Sequence, residues 1–234
     1  KVKHIVTNSN FTASLIKNIG ITNQNITCIY PGANNTIHLN EEIISNINGQ
    51  PVITTLARLE KRKGHAYILS VVARLKLEYP NILYIIAGSG VELENLKKIT
   101  LELDIVKNII FLGDINENQK KFVFKNTNLM VMPTLDESKK HSIEGFGIAY
   151  LEAAYYGIPS IASKVGGTPE AVIHNETGII ISDMSELYNS LKELLSNKSK
   201  LNELGQKAKL RAENDFTWVA IGNKYLQLIK NLDN

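Results

Sequence analysis

Strand-like and helix-like apolar patterns alternate along most of this chain. The short apolar runs Val52–Leu56 and Leu129–Met132 have the length of buried strands, whereas apolar residues recur at helical spacing in residues 66–78, just before Pro80. The same patterns predict further strands at residues 82–87, 108–112, 160–162 and Gly178–Ile181, and further helices at residues 91–103, 118–125, 148–156 and just after Pro169. Such alternation indicates an α/β fold, with helices on both faces of a parallel sheet.

The two ends of the chain depart from this alternation. Residues 4–30 are predicted to form a strand, a helix and a strand, and the polar residues 34–50 are typical of a linker. From Met184 onward the pattern is helical almost to the end. On the last predicted helix, Trp218 and Tyr225 line up with aliphatic residues, and a stripe of this kind is expected to pack against the rest of the protein.

The composition is that of an ordinary globular domain, with 234 residues, 44% of them hydrophobic and 21% charged. A net charge of +3 is too small to indicate nucleic-acid binding, and the basic residues are not interleaved with a row of aromatic side chains. No apolar run approaches the roughly 20 residues that cross a bilayer, and no signal-peptide pattern is present. Since Lys1 is not an initiator methionine, the chain is expected to be part of a longer one.

The single cysteine, Cys28, cannot form an internal disulfide, which favours a reducing, cytoplasmic compartment. It falls in the predicted strand at residues 26–30, where we expect it to be a small buried apolar side chain. The five histidines do not have the spacing of a metal site, and the sequence contains neither a cysteine cluster nor a D-x-D pair. A bound metal is therefore not expected.

Two glutamates with seven residues between them flank a glycine-rich turn at the start of a predicted helix. Glu144 precedes Gly145, Phe146 and Gly147, and Glu152 lies within the helix. Unpaired backbone N–H groups and the positive end of the helix dipole at such a turn suit a phosphate or a developing oxyanion. The two carboxylates can then hold hydroxyl groups on either side of that anion. A capping acid followed by a solvated helix glutamate would show the same pattern.

A second group of polar residues follows the predicted strand Val52–Leu56, at the edge where open α/β sheets bind their ligands. Arg58 offers a planar fork for two phosphate oxygens and Lys63 a compact charge, so that the pair suits a diphosphate. The alternative is a solvated basic turn. That simpler interpretation is the one we apply to the intervening Lys61 and Arg62.

Gly88 and Ser89 form a turn between a predicted strand and a predicted helix, where the backbone can approach a ligand closely. The turn fails as a dinucleotide fingerprint, because Leu93 stands where the third glycine of G-x-G-x-x-G would be. A plain strand-to-helix turn explains it equally well. Among the histidines, His65 is expected to cap or pack at a helix start, and His141 to face solvent in a polar loop rather than to touch a ligand.

Four motifs, in order, resemble those of the retaining GT-B glycosyltransferases, family 4 especially. The phosphate-loop motif of that family, G-R-L-x-x-x-K-G, is matched by residues 57–64, with Ala57 in place of the usual glycine. Its E-x7-E signature is matched by residues 144–152, and its later landmarks by residues 177–180 and 216–218. The likeness extends from about Val6 to the end of the chain.

This resemblance implies a Rossmann-like parallel sheet with helices on both faces at residues 51–215, the nucleotide-sugar-binding domain of the GT-B fold. Residues 1–50 would be a remnant βαβ piece of the N-terminal acceptor domain with its linker, and residues 216–234 a crossover helix, whose apolar stripe would then be partly exposed. The implied activity is transfer of a sugar from a UDP- or GDP-sugar, with retention and without a metal or other cofactor. The implied acceptor is a glycan or lipid-linked hydroxyl, as in cell-surface polysaccharide synthesis. Peripheral association with the inner face of the membrane is compatible with such an acceptor.

The resemblance also implies roles for particular residues. Arg58 and Lys63 would contact the pyrophosphate and stabilise the leaving group, and Glu144 would orient the donor sugar, with a nucleophilic role for it possible in principle. Glu152 would accept hydrogen bonds from the two ribose hydroxyls. The remaining implied binding residues contribute backbone groups near the diphosphate, sugar or nucleoside: Gly145, Phe146, Gly147, Gly88 and Ser89.

Two alternatives remain open at this point. One is a GT-B epimerase that acts on a UDP-linked N-acetylhexosamine, although that class lacks a matched R-x4-K and E-x7-E pair like the one in this sequence. The other is a module that binds a nucleotide without catalysing its turnover. Assays of nucleotide release with and without acceptor distinguish all three.

Overall fold

The structure is a computed structural model that describes residue 2 and residues 4–21, 25–140 and 142–233. The strands are β1 His4–Thr7, β2 Asn25–Cys28, β3 Val52–Leu56, β4 Leu83–Ala87, β5 Ile109–Gly113, β6 Leu129–Met132, β7 Ser160–Ser163 and β8 Gly178–Ile181. The α-helices are α1 Asn10–Asn18, α2 His65–Leu75, α3 Leu93–Glu102, α4 Glu117–Lys125, α5 Ile148–Ala154, α6 Thr168–Ala171, α7 Leu187–Ser196, α8 Lys198–Asp215 and α9 Trp218–Asp233. Every predicted strand and helix within the described residues is present, with bounds that differ by a few residues.

The strands form two parallel sheets. β1 and β2 pair with each other, and the other six form one sheet in the order β5-β4-β3-β6-β7-β8. The chain adds β4 and β5 on one side of β3 and then returns to place β6 on its other side. The strand order therefore reverses between β3 and β6, and ligands of open α/β sheets bind at the carboxyl ends of the strands at such a point.

The large sheet is covered on both faces, which explains why its strands are mainly apolar, with only small hydroxyl side chains such as Thr54 and Ser160 among their buried polar residues. In β6, Leu129 and Val131 belong to a buried cluster that includes residues of α2 and α7. Met130 and Met132, on the opposite face, belong to a second cluster that includes residues of α5 and α8. Burying one such side chain is worth about 1.5–3 kcal/mol. This core fixes the carboxyl edge of the sheet as a rigid platform.

The β1–α1–β2 unit is joined to the large sheet through the start of α1. Glu170, at the start of α6, accepts hydrogen bonds from the backbone N–H groups of Asn10 and Phe11, each at 2.8 Å. The N–H of Thr12, the next residue in the helix, donates to the side chain of the N-cap residue Ser9 at 3.0 Å. Three of the N–H groups that a helix start leaves unpaired are thus satisfied, two of them by a carboxylate 160 positions away in the chain.

Residues 34–50 contain no strand or helix and lie along α4. Lys121 donates to the backbone carbonyls of Ile37 and Leu39, at 2.6 and 2.7 Å. Glu42 accepts from Asn116 at 3.1 Å, one of several contacts that attach this segment to the start of α4. The stretch predicted as a linker is therefore held against the large sheet's own helices.

One expectation about an apolar side chain was wrong, and another was met only in part. Cys28 is half-buried rather than buried, because β1 and β2 form only a two-stranded sheet. On α9, Ile221 is buried, but Trp218 is 59% and Val219 75% exposed, and Tyr225 is also exposed. The stripe on this helix is therefore partly exposed, as the resemblance implied, and not fully packed, as its pattern alone indicated. No helix in the part of the chain that the structure describes has the length and apolar character needed to cross a bilayer.

Candidate active site

The loop that follows β3 carries the basic residues predicted to bind a diphosphate. Residues Lys61–Lys63 form one turn of 3-10 helix immediately before Gly64 and α2. The side chain of Lys61 is exposed, whereas those of Arg62 and Lys63 are 9% exposed each. Lys63 extends beneath the loop, with its Nζ 3.8 Å from the sulfur of Met132 at the end of β6. The loop therefore faces the point where the strand order reverses.

Lys63 and Arg62 meet the carboxylate of Glu144, the first glutamate of the signature. Lys63 Nζ and Arg62 Nη1 both donate to Glu144 Oε2, the latter at 3.1 Å, and the side chain of Glu144 is only 13% exposed. The structure thus brings together Lys63 and Glu144, which are 81 residues apart in the chain. It also corrects the interpretation of Arg62 as part of a solvated turn.

The charges in this cluster influence one another's pKa values. Burial raises the pKa of the Glu144 carboxyl, but the Lys63 ammonium, with Arg62, outweighs this effect and holds the pKa below its ordinary value. Burial lowers the pKa of Lys63, with Glu144 opposing the shift. A charged group close to this cluster will therefore shift the pKa values of both partners.

Arg58 does not join this cluster directly. Its side chain is 73% exposed, and its Nη1 lies 2.9 Å from Glu60 Oε1. Glu60 also accepts from Arg62 Nε at 3.0 Å. Charges of alternating sign therefore connect Arg58 to Glu144 through Glu60 and Arg62. The guanidinium of Arg58 is exposed at the mouth of the site.

The glycine-rich turn after Glu144 is held against a second glycine turn. Gly147 immediately precedes α5 and has a φ of +98°. Residues with a Cβ rarely adopt this backbone conformation. A side chain at Gly166 or Gly167 would collide with the carbonyl oxygen of Glu144 or Gly145, respectively. The N–H of Gly167 donates to the Glu144 carbonyl at 2.9 Å. This contact fixes the direction in which the turn presents its remaining backbone groups.

The side chain of Phe146 is part of the core rather than of the site surface. It is 2% exposed, and its ring centroid lies 5.1 Å from that of Tyr30 and 5.9 Å from that of Phe216. Beside it, the side chain of Asn8 lies against Gly145, where a Cβ would be 3.0 Å from Asn8 Nδ2. Phe146 thus anchors the turn, and any contact that it makes with a ligand is through its backbone.

Glu152, the second glutamate of the signature, is buried on α5 and paired with a lysine that the sequence analysis did not single out. Its Oε1 accepts from Lys120 Nζ at 2.7 Å, and the two side chains are 11% and 10% exposed. Lys120 also donates to Glu117 at 2.7 Å. A lysine on the inner face of an amphipathic helix is the signal in the sequence that could have identified it.

The turn at Gly88 and Ser89 lies beside the phosphate loop. The carbonyl of Ser89 accepts from the N–H of Leu59 at 2.8 Å. The Ser89 hydroxyl donates to both carboxylate oxygens of Asp114, at 2.8 and 2.7 Å. The turns after β3, β4 and β5 are therefore tied together at one edge of the sheet.

The histidines add no metal site in the described residues. His65 is buried at the start of α2, as predicted, with its Nδ1 2.9 Å from the hydroxyl of Tyr84, and burial lowers its pKa to about 4. His141 lies outside the described residues. Within those residues no group of three or more histidine, cysteine, aspartate or glutamate side chains could hold a metal ion. Cationic side chains and helix starts are the groups that can stabilise an anion here.

Comparisons with known proteins agree with this architecture. The family model described as Glycosyl transferases group 1 matches residues 39–211. Over 185 residues the chain is 25% identical to the GDP-mannose-dependent alpha-(1-6)-phosphatidylinositol monomannoside mannosyltransferase of Mycolicibacterium smegmatis. This match covers 78% of this chain and 48% of that protein. Over 230 residues it is 26% identical to the D-inositol 3-phosphate glycosyltransferase of Corynebacterium diphtheriae, a match that covers 91% of this chain and 52% of that protein. The chain spans about half the length of these relatives.

Solved structures share the fold. Anabaena HepE in complex with UDP and glucose superposes with a TM-score of 0.83 at 20% identity, covering 98% of this chain and 63% of that one. The C-terminal domain of a group 1 family protein, LpcC, from Francisella tularensis superposes with a TM-score of 0.66 at 20% identity, covering 80% of this chain and all of that one. The predicted Rossmann-like fold of a GT-B C-terminal domain is confirmed.

Proposed function

The chain belongs to the group 1 glycosyl transferases, and on that premise we propose that it is the donor-binding part of a retaining glycosyltransferase. The donor is a UDP- or GDP-sugar, and the acceptor is the hydroxyl of a glycan or of a lipid-linked molecule. Relatives named as GDP-mannose-dependent enzymes and a fold relative solved with UDP support these two bases as the candidates.

One observation carries this proposal, the meeting of Lys63 and Glu144 at the carboxyl edge of the sheet. A cation and a carboxylate held at the point where the strand order reverses combine a partner for a diphosphate with an acceptor for sugar hydroxyls. The start of α5 adds backbone N–H groups and a helix dipole beside them. These are the groups that a nucleotide sugar requires.

In the proposed reaction, Lys63 and Arg58 bind the pyrophosphate and stabilise the charge that develops on it. The bond between the anomeric carbon and the β-phosphate oxygen breaks, and the acceptor oxygen forms the new bond on the same face of the sugar. The acceptor proton moves to a β-phosphate oxygen, so that the nucleoside diphosphate leaves with it. Glu144 orients the sugar hydroxyls, and Glu152 accepts hydrogen bonds from the ribose.

The acceptor is proposed to bind across a cleft between the large sheet and an N-terminal domain, of which residues 1–50 supply the last part. Closure of such a cleft excludes water and positions the acceptor hydroxyl. Positioning of this kind can contribute on the order of 7–11 kcal/mol. We therefore expect the 234-residue chain alone to bind donor nucleotide and to show no transfer.

Calorimetry with the 234-residue chain tests the proposal. UDP, GDP and ADP are titrated beside uridine, guanosine and adenosine, and each titration is repeated with EDTA. We expect UDP or GDP to bind more tightly than its nucleoside, with no change on addition of EDTA. If none of the diphosphates binds, or each binds no better than its nucleoside, the proposal is wrong.

A radiolabelled transfer assay on the same sample tests the placement of the acceptor domain. Acceptor-dependent transfer by this chain would show that residues 1–50 and the large sheet already contain the whole site. Reversible interconversion of the donor sugar would instead support the epimerase.

A further inference from the structure

Lys120 is the most unusual charge in the structure outside the cluster around Glu144. It lies on the inner face of α4, with its side chain 10% exposed, between the carboxylates of Glu117 and Glu152. A buried ammonium is strongly unfavourable unless it is paired, and a buried ion pair is seldom better for stability than apolar residues of the same volume. A role in ligand binding would account for its presence.

The hydrogen bonds leave part of this pair available to a ligand. Lys120 Nζ donates to Glu117 Oε1 and to Glu152 Oε1, each at 2.7 Å, which uses two of its three N–H groups. The described contact with Lys120 engages only Oε1 of Glu152, and the side chain of Glu152 retains 11% exposure. Among the described residues, the third N–H group of Lys120 and Oε2 of Glu152 therefore have no hydrogen-bond partner.

We propose that Lys120 is a positioning residue for the ribose of the donor nucleotide. Lys120 fixes Oε1 of Glu152, so that Oε2 accepts a hydrogen bond from a ribose hydroxyl, while the third N–H of Lys120 donates to the oxygen of the neighbouring hydroxyl. This inference rests on the proposed function, in which Glu152 faces the ribose. It makes the site specific for ribonucleoside diphosphates over their 2′-deoxy forms.

The electrostatics of the pair support this role. Burial raises the pKa of Glu152, and Lys120 is the group that opposes the shift, while Glu117 adds to it. The pKa of Lys120 itself is raised, because Glu117 and Glu152 outweigh its burial. Removing the ammonium should therefore raise the pKa of Glu152 further. The carboxylate, and with it the ribose contact, would then be lost at a higher pH as the solution is acidified.

The test compares ribo- and 2′-deoxynucleotides in calorimetry with the 234-residue chain. The probes are GDP, UDP and their 2′-deoxy forms, and the variants are Lys120→Met, Lys120→Arg, Glu152→Gln and Lys207→Met. Lys207 pairs with Glu203 on the outer face of α8 and serves as the matched control. Thermal unfolding without ligand shows whether each variant folds, and Lys120→Arg retains a cation if Lys120→Met does not fold.

We expect the wild-type chain and Lys207→Met to bind a ribonucleoside diphosphate about tenfold more tightly than its 2′-deoxy form, the equivalent of about 1.4 kcal/mol. In Lys120→Met the ratio of the affinities for the ribo and 2′-deoxy forms falls towards one. The loss of nucleotide affinity on acidification also begins at a higher pH than in the wild type. Lys120→Arg keeps a smaller preference than the wild type, because the guanidinium presents its donors in a different geometry.

If Lys120 has only a structural role, Lys120→Met weakens the binding of the ribo and 2′-deoxy forms equally or leaves the binding of both unchanged. That outcome overturns the inference. If Glu152→Gln removes the ribose preference while Lys120→Met does not, the inference fails and the proposed function stands. If the wild-type chain binds no nucleotide, or binds both forms alike, the inference fails together with the ribose role of Glu152.

Discussion

At the scale of single residues, the basic loop after β3 shows what its sequence can and cannot predict. Four basic side chains in six positions predict an anion site or a solvated turn, and the pattern does not decide between them. The structure resolves the loop as a 3-10 turn with about three residues per turn, so that successive side chains point in different directions. Lys61 therefore faces solvent, while Arg62 and Lys63 reach Glu144.

Replacing Arg62 tests whether this inward pairing stabilises the fold. Arg62→Met removes the two hydrogen bonds that Arg62, whose side chain is 9% exposed, donates to the carboxylates of Glu60 and Glu144. We expect a loss of about 2 kcal/mol in the free energy of unfolding, since hydrogen bonds to charged groups are worth about 1.5–3 kcal/mol. Urea denaturation measures this loss. The control Lys61→Met should change the stability by less than about 0.5 kcal/mol, and equal effects of both variants would contradict the account.

Replacing Glu144 tests its proposed place beside the sugar. Glu144→Gln keeps the shape of the side chain but removes the charge that holds Lys63, which leaves the ammonium free for a phosphate. We expect binding of UDP or GDP to be retained or slightly strengthened, whereas the additional affinity given by the sugar of the nucleotide sugar is lost. Competition calorimetry with both ligands measures the difference. An equal loss for nucleotide and nucleotide sugar would place Glu144 at the nucleotide instead.

At the scale of elements, most strands of the large sheet could be predicted because they are short, mainly apolar runs. The pattern of α9 alone indicated a packed stripe, and only the resemblance implied its partial exposure, since an amphipathic pattern gives the direction of the apolar face but not the surface that covers it. The start of α1 shows a similar limit. Ser9 is recognisable as an N-cap, but Glu170 lies 160 residues away and only the folded structure brings it to the helix.

Replacing Glu170 tests the connection between α1 and the large sheet. Burial raises the pKa of this carboxyl, but the N–H groups of Phe11 and Asn10 outweigh it and lower the pKa below the ordinary 4.5. A carboxyl with a lowered pKa stabilises the fold above its ordinary pKa, and this contribution is lost as the pH falls through the lowered value. We expect Glu170→Gln to cost about 1 kcal/mol at neutral pH, as the loss of a helix cap does.

Thermal unfolding at several pH values measures this effect. The difference in melting temperature between the wild type and Glu170→Gln should be largest at neutral pH and should narrow below pH 4.5. A difference that is the same at pH 7 and at pH 3 would show that the charge of Glu170 does not contribute.

At the scale of the whole molecule, the site is a consequence of topology. β3 and β6 are adjacent in the sheet, and the loops that follow them supply Lys63 and Glu144. The order of motifs along the sequence allowed this meeting to be predicted, because parallel strands end at one edge. Arg62, the third charge at Glu144, could not be predicted, because its direction depends on how a turn folds. The inner-face position of Lys120 is visible in the sequence, but its pairing with Glu152 is not, because the two residues lie on different helices.

The central claim is that Lys63 binds the diphosphate of a nucleotide. Calorimetry of the wild type, Lys63→Ala and the control Lys61→Ala, each with a nucleoside diphosphate and its nucleoside, tests this claim most directly. We expect Lys63→Ala to weaken binding of the diphosphate by about 1.5–3 kcal/mol, the value of a charge-assisted contact, and to leave the nucleoside unchanged. Lys61→Ala should change neither. An equal loss for UDP and uridine, or for GDP and guanosine, would contradict the assignment of this loop.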